Sequence, residues 1–366
     1  MAASPRPRMA IDAHVIDGRP QGSRTVLIQL LRAIARAGRA QDVLLFSADP
    51  ARCAETIGAQ GETFAYARLP HTGSIRRLLH VWPRLLHAHG DPVTLFQYIS
   101  PLRTRAPVLV SIHDVLPLTH PALFPPLFRW RSQLLFTLSM FRAARITTVS
   151  RTAEEEIARR FPSLRNRIRQ VTNGPSFEEE VYFVPAPPPQ PRRYVLAVGR
   201  IEPRKNMELL VRAFSEAVVP DVDLVIVGRA DQGHRFDQAD HPGIRHVSEA
   251  SDAELIALYQ GASLFIFPSA AEGFGLPLLD ALLFGLPTIS SDRTAMPEVA
   301  GGLASLFDPT APDAKSVLAA RIRGHFADAP VPAPTVAQRR AHAATFNWDR
   351  AARNLLATFD EVAARP

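Results

Sequence analysis

Two carboxylates frame an apolar stretch in the second half of the chain. This stretch, residues 269–292, reads "SAAEGFGLPLLDALLFGLPTISSD" and contains Glu272 and Asp280. Its Gly-Phe-Gly turn lets the backbone pass close to a ligand, and the proline that follows suits the first turn of a helix. Helix N–H groups around Phe274 and Leu276, flanked by carboxylates, predict a ligand that combines phosphate with hydroxyl groups. For Asp280 alone, a favourable interaction with the helix dipole explains the position equally well.

Two cations follow another apolar run at a distance that suits phosphate binding. The run "YVLAV" (194–198) leads into Gly199 and Arg200, and Lys205 stands just before Asn206, a predicted N-cap. Cations and free N–H groups at the turn between a strand and a helix are the usual elements of a phosphate site. The alternative is that Arg200 and Lys205 are solvated surface charges.

The composition is that of a globular protein with more than one domain. The chain has 366 residues, 46% hydrophobic and 21% charged, and no apolar run approaches the roughly 18 residues of a membrane span. Its single cysteine, Cys53, excludes an internal disulfide or a zinc site built from cysteines. The first ten residues lack the apolar core of a secretion signal, so we expect a cytoplasmic protein.

The positive charge is concentrated in the first half of the chain. Residues 1–185 hold 24 Arg against 14 Asp and Glu, a balance of +10, whereas residues 186–366 have a balance of −3. This asymmetry suggests an anionic partner for the first half, such as nucleic acid, a lipid surface or a phosphorylated substrate. Only Lys205 and Lys315 are lysines, and a genome-wide preference for arginine is an equal explanation.

The order of apolar runs predicts two α/β domains. The proline-rich segment 185–193 is the predicted linker between domains at 9–184 and 194–345, and residues 346–366 are predicted to form a last helix that crosses back to the first domain. Strands nearly apolar throughout, alternating with helices, indicate doubly wound parallel sheets, and ligands bind at the carboxyl ends of such strands. The predicted strands are 9–16, 42–46, 93–97, 108–112, 145–149, 194–198, 223–227, 244–247, 264–267 and 287–290. The predicted helices are 25–38, one opened by Thr152 with Glu155 as a capping box, 206–218, 252–260, 276–285 and one after Asn347.

Several of these segments together resemble the retaining glycosyltransferases of family 4, which have the GT-B fold of two Rossmann-like domains facing across a cleft. The resemblance is strongest in "VGRIEPRKNMELLVRAF", "LFIFPSAAEGFGLPLLDALLFGLPTISSD" and "MPEVAGG", from about 194 to 302. "SIHDVLPLTHP", "ITTVSRTAEEEI", "VTNG" and "FNWDRAA" extend it over most of the chain.

The resemblance implies a role for each matching residue. Arg200 and Lys205 would bind the donor diphosphate and stabilise the departing nucleotide, and Glu272 would hydrogen-bond the donor sugar. Asp280 stands where the family has a glutamate that holds the ribose hydroxyls, and its shorter side chain implies a weaker or water-mediated contact. His113 would face the donor sugar. The donor-binding positions implied are Gly22, Gly199, Arg200, Lys205, Gly228, Val247, Glu272, Gly273, Phe274, Gly275, Leu276 and Asp280.

The implied reaction moves a hexosyl unit from a nucleotide-diphosphate sugar to an acceptor hydroxyl with retention and without metal or other cofactor. GDP-mannose is the preferred donor, and the acceptor would be a glycan or a lipid-diphosphate-linked molecule in surface polysaccharide synthesis. The segments 74–89 and 126–145 mix arginine with apolar residues; they fit peripheral binding to the anionic inner face of the cell membrane, or ordinary packing helices. Alternatives are a sugar-nucleotide epimerase or phosphorylase of the same fold, or a basic scaffold. No nucleic-acid partner is expected.

Overall fold

The computed structural model describes residues 8–18, 21–184, 193–230, 243–327 and 334–364. The chain divides into two compact units, the first formed by Met1–Gly174 with Asn347–Pro366 and the second by Pro175–Phe346. The first unit thus ends ten residues before the predicted domain end at 184, because residues 175–184 pack with the second unit. Of the predicted linker, Arg193 already begins a strand, and residues 185–192 lie outside the described residues.

The regular elements alternate between strand and helix in both units. The strands are β1 (Met9–Asp12), β2 (Val43–Ser47), β3 (Ala65–Arg68), β4 (Val93–Gln97), β5 (Val108–Ile112), β6 (Arg145–Thr148), β7 (Ile168–Gln170), β8 (Arg193–Val198), β9 (Val222–Val227), β10 (Ile244–Val247), β11 (Leu264–Phe267), β12 (Thr288–Ser291) and β13 (Ser305–Phe307). The α-helices are α1 (Gly22–Arg36), α2 (Pro50–Ile57), α3 (Ser74–Arg76), α4 (Trp82–Ala88), α5 (Leu116–Thr119), α6 (Pro126–Arg142), α7 (Arg151–Arg160), α8 (Met207–Ala217), α9 (Asp252–Gly261), α10 (Leu276–Leu283), α11 (Met296–Ala300), α12 (Ala314–Phe326), α13 (Val336–Ala343) and α14 (Trp348–Ala363).

The sheet of the first unit is parallel throughout and has the order β3-β2-β1-β4-β5-β6-β7. Strands β1, β2 and β6 are buried along their whole length, as expected for a sheet covered on both faces. Strands β4 and β5 have the predicted bounds, whereas β1 ends at Asp12 because the chain turns there, and the Ile16 N–H donates to the Ala13 carbonyl.

Helix α14 belongs to the first unit and packs against α1. Asn347 caps it as expected, since its side chain accepts hydrogen bonds from the N–H groups of Asp349 and Arg350. At the other end of α14, Glu361 pairs with Arg145 and Arg169 of the first unit. Apolar burial and these ion pairs together anchor α14 in the first unit.

Helix α7 begins differently from the prediction. Ser150, not Thr152, is the N-cap, and its hydroxyl accepts the hydrogen bond from the Ala153 N–H. The predicted capping box of Thr152 and Glu155 is therefore wrong. Ser150 follows β6 directly, and its extended backbone is the conformation that an N-cap requires.

The segment 74–89 is helical from Ser74 to Ala88 and changes its winding near the proline. Residues Arg77–Val81 form a π-helical turn between α3 and α4, and Pro83 lies in the first turn of α4. A proline lacks the N–H that continues a helix, so the wider turn precedes it. Among the helices of the described residues, none combines the length and the apolar character needed to cross a membrane.

The sheet of the second unit is also parallel and has the order β10-β9-β8-β11-β12-β13. Counted within the unit, this is the strand order 3-2-1-4-5-6 of the doubly wound dinucleotide-binding fold. Both units therefore have the predicted α/β, Rossmann-like architecture. In the second unit the strand order reverses between β8 and β11, which are direct neighbours.

Candidate active site

The charged residues predicted to bind the donor in the second unit, Arg200, Lys205 and Glu272, follow β8 and β11. The strand order reverses between these two strands. A crevice forms at the carboxyl ends of such strands, because their connections leave in opposite directions. The loop after β8 contains Arg200 and Lys205, and the loop after β11 contains Glu272. The two loops are joined directly, since the Ala270 N–H donates to the Arg204 carbonyl at 2.8 Å.

Glu272 is the centre of a buried ionic cluster. Its side chain is 10% exposed, and its Oε1 lies 2.5 Å from Lys205 Nζ. Arg204 donates from one guanidinium nitrogen to Glu272 Oε2 at 2.8 Å. The backbone N–H of Glu272 donates to Thr294 Oγ1 at 2.9 Å, which fixes the turn that carries the carboxylate. The structure thus brings the predicted Glu272 and Lys205 into contact and adds Arg204.

The charges of this cluster are mutually dependent. Burial opposes ionisation of Glu272, but Lys205 and then Arg204 attract the carboxylate strongly enough to lower its pKa to about 2. Burial also lowers the pKa of Lys205, and the attraction of Glu272 counteracts this effect. Glu272 is therefore ionised at neutral pH, and its carboxylate is held in place by the cations beside it.

Arg200 extends the cluster toward solvent. Its guanidinium is half-exposed and lies 3.3 Å from Glu202, whose carboxylate also accepts from Arg204 at 2.7 Å. The order of charges is therefore Arg200, Glu202, Arg204, Glu272 and Lys205. Among the predicted cations, Arg200 is at the exposed end and Lys205 at the buried end.

Gly228 follows β9 and lies against the loop after β8. A Cβ at this position would stand 2.1 Å from the Gly199 carbonyl oxygen, and φ is +147°. Any larger residue would force the two strand ends apart. The Gly228 N–H donates to the Val247 carbonyl at 2.9 Å. The structure therefore brings together Gly199, Gly228 and Val247, three of the predicted donor-binding positions, at one edge of the sheet.

Helix α10 begins at the turn predicted to approach the ligand. Gly275 is its N-cap in a left-handed conformation (φ +103°), and Pro277 lies in the first turn, as expected. The Phe274 side chain is buried and packs edge-on against Phe346 at 5.5 Å between ring centroids. Because its side chain is buried in this way, Phe274 can contact a ligand only through its main-chain groups. Gly273, Gly275 and Leu276 are the neighbouring predicted positions in the same turn.

Asp280 lies in α10 and is almost fully buried, with 2% of the residue exposed. Its Oδ1 accepts from the Ser176 N–H at 2.9 Å and from the Tyr182 hydroxyl at 2.7 Å. Burial raises its pKa to about 6, although hydrogen bonds from Ser176 and Tyr182 act in the opposite direction. Asp280 thus anchors the 175–184 segment. Ribose binding by Asp280 stays a prediction, and it requires hydrogen-bonding capacity beyond that used by Ser176 and Tyr182.

The predicted residues of the first unit are His113 and Gly22. His113 follows β5, is buried, and contacts the Tyr98 ring at 5.3 Å between centroids. Burial lowers the pKa of His113 to about 4, so its imidazole is neutral near pH 7. The neighbouring Asp114 accepts from the Tyr98 hydroxyl at 3.1 Å. Gly22 is the first residue of α1, and space is open where its Cβ would stand.

Two further sets of charged residues were not predicted. Arg204 stands beside the predicted Lys205, and an adjacent cation pair in the motif was the available signal. In the first unit, Asp12 at the end of β1 is 4% exposed and accepts from His14 Nδ1 at 2.7 Å. A two-residue spacing between a strand-end carboxylate and a histidine gives no distinctive sequence pattern.

Solved structures show the same two-unit architecture. The superposition on a sucrose-phosphate synthase from Thermosynechococcus elongatus covers 97% of this chain and 99% of that protein, with a TM-score of 0.75 and 20% identity. WaaG, a glycosyltransferase involved in lipopolysaccharide biosynthesis, covers 97% and 98%, with a TM-score of 0.67 and 15% identity. The fold is the two-domain, Rossmann-like GT-B fold.

Two family models together match the chain from residue 20 to residue 323. The model described as Glycosyltransferase Family 4 matches residues 20–179, and the model described as Glycosyl transferases group 1 matches residues 178–323. The chain therefore belongs to the group 1, family 4 glycosyltransferases.

Curated relatives match the chain at 24% to 29% identity. It is 29% identical over 264 residues to O-antigen chain mannosyltransferase B of Escherichia coli, covering 66% of this chain and 67% of that protein. It is 24% identical to the phosphatidyl-myo-inositol mannosyltransferase of Mycolicibacterium smegmatis, covering 94% and 91%. It is 29% identical to the serotype-specific mannosyltransferase WbdA of Escherichia coli, but spans only 27% of its length.

Proposed function

We propose that the protein is a retaining glycosyltransferase that moves a hexosyl unit from a nucleotide-diphosphate sugar to an acceptor hydroxyl. The observation that carries this proposal is the ionic cluster at the edge of the second sheet. Glu272 and Lys205 are in contact there, and Arg200 lies at the exposed end of the same cluster. This arrangement joins a cation pair for phosphates to a carboxylate for sugar hydroxyls.

Each part of the cluster has a role in the transfer. As the bond between sugar and diphosphate breaks, negative charge grows on the diphosphate, and Arg200, Lys205 and the start of α10 stabilise it. Glu272 accepts hydrogen bonds from donor-sugar hydroxyls. A phosphate oxygen of the departing group takes the acceptor proton on the same face, so neither a protein base nor a metal ion is needed.

The relatives support a mannosyl donor and a glycan or lipid-linked acceptor. Three are named as mannosyltransferases, two of them for O-antigen or serotype-specific synthesis and one for phosphatidyl-myo-inositol. The Anabaena protein HepE has been solved with UDP and with UDP-glucose, at TM-scores of 0.67 and 0.62. We propose GDP-mannose as the donor, and synthesis of a surface polysaccharide as the process.

The test is a panel of nucleotide sugars, scored by thermal shift and then by release of the nucleoside diphosphate. GDP-mannose should give the largest shift, and transfer should continue in EDTA and yield a product of retained anomeric configuration by NMR. Glu272→Ala should abolish turnover and remain folded, while Glu208→Ala, on the exposed face of α8, serves as the matched control. An epimerase would change the donor without an acceptor, and a phosphorylase would require inorganic phosphate.

We further propose that the first unit binds an anionic membrane surface through α6. The side chains of this helix expose an apolar stripe, 83% at Leu127, 65% at Trp130 and 61% at Leu134. The helix contains no acidic residue, and Arg131 and Arg142 are exposed beside the stripe. Apolar side chains with neighbouring arginines are typical of helices that lie in the interface of anionic lipids.

Vesicle sedimentation tests the membrane proposal separately. The protein should pellet with phosphatidylglycerol vesicles at low salt and remain in solution with phosphatidylcholine vesicles. A double variant, Trp130→Ser with Leu134→Ser, should lose the binding and keep its thermal midpoint, because both side chains are exposed. If the wild-type protein does not pellet, the membrane role is lost and the glycosyltransferase proposal stands unaffected.

A further inference from the structure

Arg204 and Lys205 both contact Glu272, but they are held in different ways. Besides its bond to Glu272 Oε2, the Arg204 guanidinium donates to the Ala271 carbonyl at 2.8 Å and to Glu202 at 2.7 Å. The Arg204 carbonyl accepts the Ala270 N–H at 2.8 Å. Side chain and main chain of Arg204 thus attach the loop after β8 to the loop after β11.

Lys205 has fewer attachments. Within the described part of the chain, its ammonium pairs with Glu272 and lies 5.4 Å from the centroid of the Phe267 ring. A lysine carries a point charge on a flexible chain with three donors, whereas the planar fork of an arginine holds two acceptors in fixed directions. The lysine is therefore the cation that a phosphate ligand can draw away from the carboxylate.

We propose that Arg204 is a positioning residue that holds Glu272 ionised and oriented while Lys205 turns to the donor diphosphate. This inference rests on the proposed function, and it assigns different tasks to neighbouring cations. With Lys205 shared with a phosphate, Glu272 would lose much of its compensation, and a buried carboxylate without a partner takes up a proton. Arg204 prevents this protonation because its guanidinium stays beside the Glu272 carboxylate. The guanidinium is kept in place by its three acceptors, which belong to Glu202, Ala271 and Glu272.

The main test is Arg204→Gln in the full chain with the donor that the wild-type protein uses. We expect kcat to fall about 10- to 100-fold, since misorientation of a group that contacts substrate has effects of this size. KM for the donor should change less than about threefold, because the contacts of Arg200 and Lys205 with the diphosphate remain. A fall in kcat with little change in KM is the expected signature.

The pH profile separates positioning from a purely structural role. Lys205 and Arg204 face Glu272 directly, with Glu202 and Arg200 behind Arg204. In the wild type the acid limb of kcat should stay below about pH 4, because opposite charges favour the ionised carboxylate. In Arg204→Gln burial is less compensated, so the limb should move to higher pH by one unit or more.

Arg204→Lys is the conservative variant. It restores a positive charge but not the fork that holds Glu202 and Ala271, so the acid limb should return toward the wild-type position while kcat recovers only in part. Arg212→Gln is the matched control, because Arg212 is an exposed arginine of α8 that pairs with Glu208. Its kcat, KM and pH profile should equal those of the wild type.

The possible failures are distinguishable. If the wild-type protein turns over no nucleotide sugar, the proposed function fails. If the wild type is active and Arg204→Gln keeps its kcat and acid limb, the inference about Arg204 is wrong. A folded Arg204→Gln variant whose kcat falls without movement of the acid limb would also overturn it. If this variant does not fold, Arg204→Lys decides: a reduced kcat with KM for the donor near the wild-type value supports the inference, whereas an unchanged kcat, or a KM that rises together with the loss of kcat, overturns it.

Discussion

Replacing Asp280 by asparagine should remove a pH dependence from the stability of the second unit. Burial raises the pKa of Asp280 to about 6, whereas the ordinary pKa of an aspartate side chain is 3.8. Such a difference corresponds to about 3 kcal/mol. Because the folded-state pKa is the higher one, ionisation opposes folding. The cost is absent below the unfolded pKa, grows as the pH rises through both values, and is complete above about pH 6.

Asp280→Asn keeps the two hydrogen bonds that Oδ1 accepts and removes the charge. Asp280 Oδ1 accepts from Ser176 and from Tyr182, and an asparagine Oδ1 can accept both. We expect the variant and the wild type to have nearly equal free energies of unfolding near pH 4. At pH 7.5 the variant should be more stable by up to about 3 kcal/mol.

Urea unfolding between pH 4 and 7.5 measures this difference. Trp82, Trp130 and Trp348 are the three tryptophans and all belong to the first unit, so fluorescence follows that unit while circular dichroism follows both. The pH-dependent difference in free energy of unfolding should therefore appear in circular dichroism. A stability difference that stays constant with pH, or an asparagine variant that is less stable at pH 7.5, would refute the reasoning. Glu208→Gln, on an exposed side chain, is the control and should show no such trend.

Further predictions concern the buried groups around the site and in the first unit. Glu272→Gln should lower the thermal midpoint as well as abolish turnover, because it removes the charged partner of the buried Lys205; an unchanged midpoint would contradict the burial argument. Gly228→Ala should lower the free energy of unfolding by at least about 1 kcal/mol and weaken nucleotide binding in calorimetry, while Gly324→Ala, which meets open space, should do neither. The pKa of His113 is lowered to about 4 by burial, so its contribution to stability should be lost as the pH falls from about 6.5 toward 4. Replacing His113 by asparagine should flatten this acid-side slope in urea unfolding, and an unaltered slope would show that His113 does not cause it.

Much of the sheet architecture could be predicted from the sequence, because buried parallel strands are apolar along their whole length. Strand β11 has the predicted bounds for this reason, since all four of its residues are apolar and buried. Strand β10 also has the predicted bounds, although Ile244 alone of its four residues is buried. Strand β3 was not predicted, since two of its four residues are only half-buried and a third is exposed. Strand β13 has three residues, too few to form a pattern.

The predictable part of the site is the part encoded in short loops. Lys205 and Glu272 lie in the loops that follow β8 and β11. Because the strands are parallel, these loops lie at the same edge of the sheet, and the proximity of the two residues could be predicted. The hydrogen-bond partners of Asp280 could not be predicted in this way. Ser176 and Tyr182 are about a hundred residues away in sequence, and only tertiary folding brings them to α10. The cap of α7 was misplaced for a more local reason: Ser150 and Thr152 are both cap formers, and only the end of β6 decides between them.

The position of α14 in the first unit also has a consequence for biosynthesis. Residues 175–346 form the second unit from one continuous segment, whereas the first unit needs residues 347–366. The Trp348 ring fills the space beside Gly174, where even a Cβ would come within 2.7 Å of it. On the ribosome, the segment translated later can therefore complete its fold before the segment translated earlier. Until α14 emerges, the face of α1 that packs against it lacks this cover.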